Sequence, residues 1–418
     1  GDFTATSGSG FFVNTAGGAV TVTLPSSPSA GNVVAVSDYN GSASTNTITI
    51  GRNSSNINGS ASDLLITKSN SAIQLVYVDA TTGWQNVTTA NPSDVTNPFV
   101  VATGGTITES GNFKIHTFTG PGTFTVTNAG SSSGSNTVSY LAVAGGGGGA
   151  GDESNGYGAA GGGAGGFRES KASTDSYTAS PLNATSGPTY NLPVSIQGYP
   201  IAVGGGGAAG PNPTSGGSRG VNSTFSSIIS TGGGGGTAGT AINPASPGGS
   251  GGGGAGPAAS NPQGAGGIGN TPPVSPPQGN TGGTARTSGT KLGGGGGGGA
   301  TAVGEPFQAS IPGNTAGDGG AGATTSISAT PTAYGGGGGG GAFNSVPAGD
   351  NTTDGAGGTG GGGPGGQVIP GNSHDAVAGT ANTGGGGGGA ASNSPSSPGV
   401  VNAGAGGSGI VIIRYKFQ

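Results

Sequence analysis

The chain has 418 residues, 104 of them Gly, with 30% hydrophobic and 6% charged residues and a formal net charge of −5. A globular chain is about 45–50% apolar and about 25% charged, so an ordinary oil-drop core cannot serve the whole length. Disorder pairs low hydrophobicity with high net charge, which is absent, and ten scattered Lys and Arg make neither a nucleic-acid footprint nor a polybasic membrane patch.

Residues 1–90 read as a β module. Val20-Thr21-Val22-Thr23-Leu24, Thr47-Ile48-Thr49-Ile50 and Ile73-Gln74-Leu75-Val76-Tyr77-Val78 alternate at period two, and turn clusters such as Asp38-Tyr39-Asn40-Gly41 separate them, a pattern of a small sandwich or prism. Trp84, the only Trp, is expected in a core or between subunits. Residues 91–98, with Pro92 and Pro98, read as a linker.

Residues 99–144 return to strands at Phe113–Phe118, Thr123–Val126 and Val138–Ala144, the last running straight into Gly145. The chain closes on Ile410-Val411-Ile412-Ile413-Arg414-Tyr415-Lys416-Phe417, its most hydrophobic segment. An exposed edge of that composition would aggregate, so residues 410–418 are expected to form a paired and covered strand.

Between these strands, over residues 145–409, Gly runs recur at 145–149, 161–166 (broken by Ala164), 204–207, 232–236, 251–254, 293–299, 335–341, 360–363 and 384–389. Collagen needs Gly at every third position, and these runs are contiguous. A phosphate-cradling loop needs a Gly-Lys-Ser or Gly-Lys-Thr pair, and none occurs. Two readings remain: a flexible linker, or a lattice of extended polyglycine helices with three residues per turn, no internal hydrogen bonds and lateral bonding in their place. Ordering a residue costs about 1–2 kcal/mol and a backbone hydrogen bond returns about 0.5–1.5 kcal/mol. One run alone therefore stays disordered, whereas many runs nucleated by strands at both boundaries approach balance. The predicted fold class is thus an all-β N-terminal module followed by packed polyglycine-II helices framed by β-strands, with almost no α-helix. The segments between runs become loops gathered at the two lattice ends, a rigid scaffold that displays variable loops.

Phe118-Thr119-Gly120-Pro121-Gly122-Thr123-Phe124-Thr125-Val126, followed by Leu141-Ala142-Val143-Ala144-Gly145-Gly146-Gly147, resembles the opening of the glycine-rich domain in phage tail-fibre and receptor-binding proteins. Ile201-Ala202-Val203-Gly204-Gly205, Asn222-Ser223-Thr224-Phe225 and Gly406-Gly407-Ser408-Gly409-Ile410-Val411-Ile412-Ile413-Arg414-Tyr415 resemble its internal and closing signatures, over roughly residues 105–418. Leu75 to Trp84 is similar to β modules of tail fibres from marine and cyanobacterial phages. The resemblance implies an extracellular adhesin on a virion tail fibre. Loops on the glycine scaffold would recognise a host cell-surface polysaccharide or outer-membrane protein, often as a homotrimer. The alternative is a self-assembling extracellular filament or matrix subunit whose terminal strand completes a neighbour's sheet.

The chemical inventory is thin. With no Cys, disulfides and thiol chemistry are excluded. No catalytic residue, metal site, cofactor, nucleic-acid partner or membrane insertion is expected. The absence of Met beside Gly1 points to a fragment or a processed form. His116 reads as a strand residue, and Asp152-Glu153 as a solvated pair or a weak cation site. Receptor-binding candidates are Tyr157, Glu305, Phe307, Phe343, His374 and Asp375, residues beside Gly runs where little core exists to bury a ring. Phe167 and Tyr334 directly flank runs and read as caps on the lattice or as fillers of a subunit interface.

Overall fold

The computed structural model describes residues 1–89, 95–131, 134–151, 158–211, 215–238, 245–255, 264–288, 291–309, 314–343, 353–368, 373–391 and 401–418. Among them there is no α-helix.

The first strands alternate between two sheets. Phe3–Thr4, Val20–Thr23, Ile48–Gly51, Leu64–Ile66 and Val95–Thr96 make one, and Ser9–Val13, Val33–Asp38, Ala72–Asp79 and Gly83–Thr89 the other. The earliest pairings are parallel, as between Val20–Thr23 and Ile48–Gly51, because each strand crosses to the opposite sheet before its neighbour is laid down. The inward half of each alternating run fills the core between them: Val22, Val34, Val36, Ile48, Ile50, Ile73, Leu75 and Trp84 are buried together. Val95–Thr96, inside the segment read as a linker, instead pairs with Leu65–Ile66; two β-branched residues suffice to extend that edge.

A second sandwich follows. The terminal strand Ile410–Lys416 lies between Phe113–Phe118 and Thr137–Val143 and is antiparallel to both. Thr106–Ser110 and Phe167–Ser170 extend this sheet on either side. Val100–Thr103, Gly122–Ala129, Gln197–Ala202, Ser223–Phe225 and Ile228–Ser230 form the facing sheet. Tyr140, Ala142, Val411, Ile413 and Tyr415 face it, packed against Phe124, Tyr199 and Phe225. The opposite face of the same strands, Leu141, Val143, Ile410 and Ile412, is covered by Phe167, Tyr177, Ile327 and Tyr334. Burial on both faces explains why the terminal strand is continuously apolar rather than alternating.

The glycine runs leave this sandwich as a lattice, and Gly145–Gly151 displays its rule. Gly145, Gly148 and Gly151 donate to the carbonyls of Val221, Ser218 and Ser215; Gly146 and Gly149 to Gly407 and Gly404; Gly147 and Ala150 to Gly163 and Ala160. The carbonyls repeat the period: those of Gly145 and Gly148 accept from Gly233 and Gly236, those of Gly146 and Gly149 from Gly207 and Gly210, those of Gly147 and Ala150 from Gly387 and Ala390. Every third residue thus addresses the same neighbour and no bond closes inside the run, which is the three-per-turn extended helix. Three antiparallel neighbours take its N–H groups and three parallel ones its carbonyls, so six segments enclose it. Residues 158–166, 293–300, 335–342 and 384–391 keep the same three-residue period, with parallel runs among the acceptors of 158–166, 335–342 and 384–391.

Glycine is required by this spacing. A Cβ on Gly296 would fall inside van der Waals contact of the Asp318 carbonyl, and one on Gly147 would meet that of Gly234. Alanine is admitted only where the lattice has room. Gly335 and Gly384 enter their runs with φ of 73° and 71°, a left-handed conformation that favours Gly. The kink at Gly335 leaves space beside it for the methyls of Ala164 and Ala300.

Candidate binding surface

Chain direction in the lattice follows from the bonding. Runs 145–151, 335–342 and 384–391 are mutually parallel and descend from the sandwich, whereas 158–166, 293–300 and 401–409 climb back. Turns at the sandwich end are short or carry hairpins, such as Ala323–Thr325 with Thr332–Tyr334. The hairpins dock on the sheet: Thr325 Oγ1 donates to Glu169 Oε1, and Glu169 Oε2 accepts from the Ser180 amide at 2.9 Å. The descending runs all end, and the ascending runs all begin, at the far end of the lattice.

The sequence candidates fall unequally on this frame. Phe307 was expected to project from a loop but is wholly buried. Its ring lies against Gly293, where a Cβ would collide with it, so a remote glycine makes the pocket that encloses it. Phe343 lies in the strand Ala342–Phe343, its backbone between Leu292 and Val368; its side chain is outside the described residues. Tyr157 and the Asp152-Glu153 pair also lie outside them. Phe167 and Tyr334 are buried against the six-stranded sheet, as caps.

Glu305 keeps an exposed side chain, while its backbone is held in the lattice: its amide donates to the Asp318 carbonyl at 2.8 Å and its carbonyl accepts from Gly296. Asp318 Oδ1 accepts from the Ala356 amide at 2.7 Å. His374 Nε2 stands 3.7 Å from Asp354 Oδ1. Burial pushes the Asp354 carboxyl up, His374 draws it back down, and Asp318 raises it. Asp375 Oδ1 accepts from the Asn402 amide at 2.7 Å. The structure therefore brings Glu305, His374 and Asp375 onto adjoining segments of one flank, with Asp318 and Asp354 among them. Nothing local in the sequence marks Asp318 or Asp354, because each stands alone in its own segment and acquires its neighbours through lateral bonding.

His116 is buried and bonded at both ring nitrogens, to the Gly104 carbonyl at 2.7 Å and to the Tyr415 hydroxyl at 3.1 Å. No group of three or more metal-ligating side chains occurs among the described residues, and no helix among them is long and apolar enough to cross a membrane.

The sequence model of a family described as "Glycine-rich domain" matches residues 117–416. This span runs from the end of the strand Phe113–Phe118 through the lattice to the terminal strand, and the chain belongs to that family. No curated protein matches the chain.

Proposed function

We propose that this glycine-rich domain protein is a non-enzymatic recognition module of the kind carried at the tip of a phage tail fibre. In this reading the lattice is a stiff post, the sandwich seats it, and its far end touches a polysaccharide or an outer-membrane protein on a host cell. The supporting observation is the common direction of the runs: all descending runs end at the far side, so the chain is returned there many times over on a backbone-bonded scaffold. A rigid frame that displays connections from one end is a recognition architecture. The proposal also has the chain extracellular and trimeric on a virion fibre.

The filament alternative rested on a terminal strand free to complete a neighbour's sheet. Both edges of that strand are occupied by Phe113–Phe118 and Thr137–Val143 of the same chain, so the proposal keeps the tip reading.

The test is adsorption of the purified chain to a panel of bacterial cells, with solution mass measured alongside. Replacing residues 344–350 and 392–400, which follow the descending runs 335–342 and 384–391 in the sequence, by short Gly-Ser links is expected to abolish adsorption and leave melting unchanged. Adsorption that survives both replacements, or none to any cell by the intact chain, would contradict the proposal.

A further inference from the structure

We propose that the cleft between the N-terminal module and the C-terminal sandwich is a saccharide-binding site, with Lys114 placed to receive a carboxylate on the sugar. The cleft has a volume of about 510 Å³, within the roughly 300–1,000 Å³ of small-ligand sites, which favour junctions between domains. Ser62 Oγ donates to the Phe417 carbonyl at 2.9 Å, and Arg52 donates to the Gln418 side chain at 3.4 Å. The cleft walls therefore come from both units and are tied together.

The chemistry of the lining selects the ligand class. Asn58 Oδ1 accepts from the Asn86 amide at 2.9 Å, which fixes the side-chain amide and leaves Nδ2 as the donor. Asn128 is fixed the opposite way: its Nδ2 donates to the carbonyls of Asn97 and Phe99 at 3.0 and 2.6 Å, which leaves Oδ1 as the acceptor. Asp63 Oδ1 accepts from the Arg52 amide at 2.8 Å, leaving Oδ2 as a second acceptor. All three line the cleft. A wall of oriented donors and acceptors matches vicinal hydroxyls, each of which donates and accepts, and its bonds to backbone mean little ordering on binding. A nucleic-acid backbone needs several cations, and among the described residues Lys114 is the only Lys or Arg lining the cleft.

Lys114 supplies the one positive charge. Its Nζ lies 4.8 Å over the Phe417 ring and 3.7 Å from Glu109 Oε1. The Glu109 carboxylate is largely solvent-exposed, and such pairs are weak, so a better-placed carboxylate can displace it. A uronic or similar acidic sugar places its carboxylate against Lys114 and its hydroxyls against Asn58, Asn128 and Asp63. This site is separate from the far end of the lattice and does not depend on that end binding anything.

The experiment probes immobilised acidic and neutral oligosaccharides with the intact chain, wild type and two variants. Asn58 has φ of 51°, so Asn58→Asp retains a residue that tolerates this conformation and retains the bond to Asn86 while removing the donor. Lys114→Gln removes the charge. Acidic saccharides are expected to be retained, at least tenfold more weakly by either variant, with melting unchanged. No retention of any acidic saccharide overturns the proposal, as does retention that both variants keep. Retention lost only when residues 344–350 and 392–400 are replaced would place recognition at the far end and also overturn it.

Discussion

Arg414 donates from Nε to Asp175 Oδ1 at 3.0 Å, with both side chains almost wholly enclosed. The pair ties the terminal strand to the segment that leaves the first pair of runs. Ser139 Oγ donates to Asp175 Oδ2 at 2.8 Å, and the guanidinium lies 4.5 Å over the Phe113 ring and 5.5 Å over that of Tyr177. Burial, then the charges of Glu169 and Asp175, hold the Tyr177 phenol far above its ordinary range.

Breaking this pair from one side leaves an uncompensated buried charge, a loss of about 3–5 kcal/mol. Arg414→Met and Asp175→Asn are each expected to lower the melting temperature sharply. The double variant should recover part of the loss, because a buried pair is worth much less than the cost of orphaning one partner. Melting curves of the three variants check this. Equal and additive losses would mean the two groups do not act as a pair.

At the enclosed glycines of the lattice, close backbone approach leaves no room for a larger side chain. Gly296→Val drives a Cβ into the Asp318 carbonyl and must separate run 293–300 from its neighbours. Overpacking costs about 1–3 kcal/mol, and each displaced hydrogen bond adds about 0.5–1.5 kcal/mol. Ala164→Gly, at a site where the methyl already fits beside Gly335, is expected to change melting by far less. Circular dichroism melts compare the two, and equal effects would contradict a lattice defined by close approach.

Burial is the main cause holding the His116 imidazole below its usual range, with Lys114 adding to the depression and the Gly104 carbonyl opposing it. The neutral ring is the form that fits the fold. His116 therefore contributes stability fully above its unfolded pKa of about 6.5, and that contribution falls as pH drops towards the folded value. Melting temperature should decline from pH 7 towards pH 5, and His116→Gln should flatten that slope. Asp354, pushed up mainly by burial, acts in the opposite sense and in the carboxylate range. A slope unchanged in His116→Gln would remove the residue as its source.

Much of the frame is legible in the sequence. Val20–Leu24 and Ile73–Val78 alternate and are strands; Trp84 is a core residue; the terminal segment is paired on both edges. The Gly runs mark the lattice, since contiguous glycine fits neither collagen nor a phosphate loop. What glycine does not encode is which neighbour each run meets, because a residue without a side chain carries no partner-specific signal. The six-neighbour arrangement and the direction of each run come only from the bonding. The same reason hid the fate of Phe307, buried by Gly293 across the lattice, and the pairing of His374 with Asp354. Arg414 stood in a run of strand residues with nothing local to announce Asp175. The cleft needed two units that the sequence presents as separate.

The central claim is that the glycine runs form a rigid, laterally bonded lattice, and amide hydrogen exchange tests it most directly. Peptides covering residues 145–151, 158–166 and 335–342 should exchange as slowly as the terminal strand Ile410–Lys416, because every N–H in them except the first of run 158–166 donates to another segment of the lattice and opening one run requires opening its neighbours. Exchange of these peptides at the rate of an unstructured glycine chain, with the terminal strand still protected, would contradict the lattice and return the runs to flexible connections.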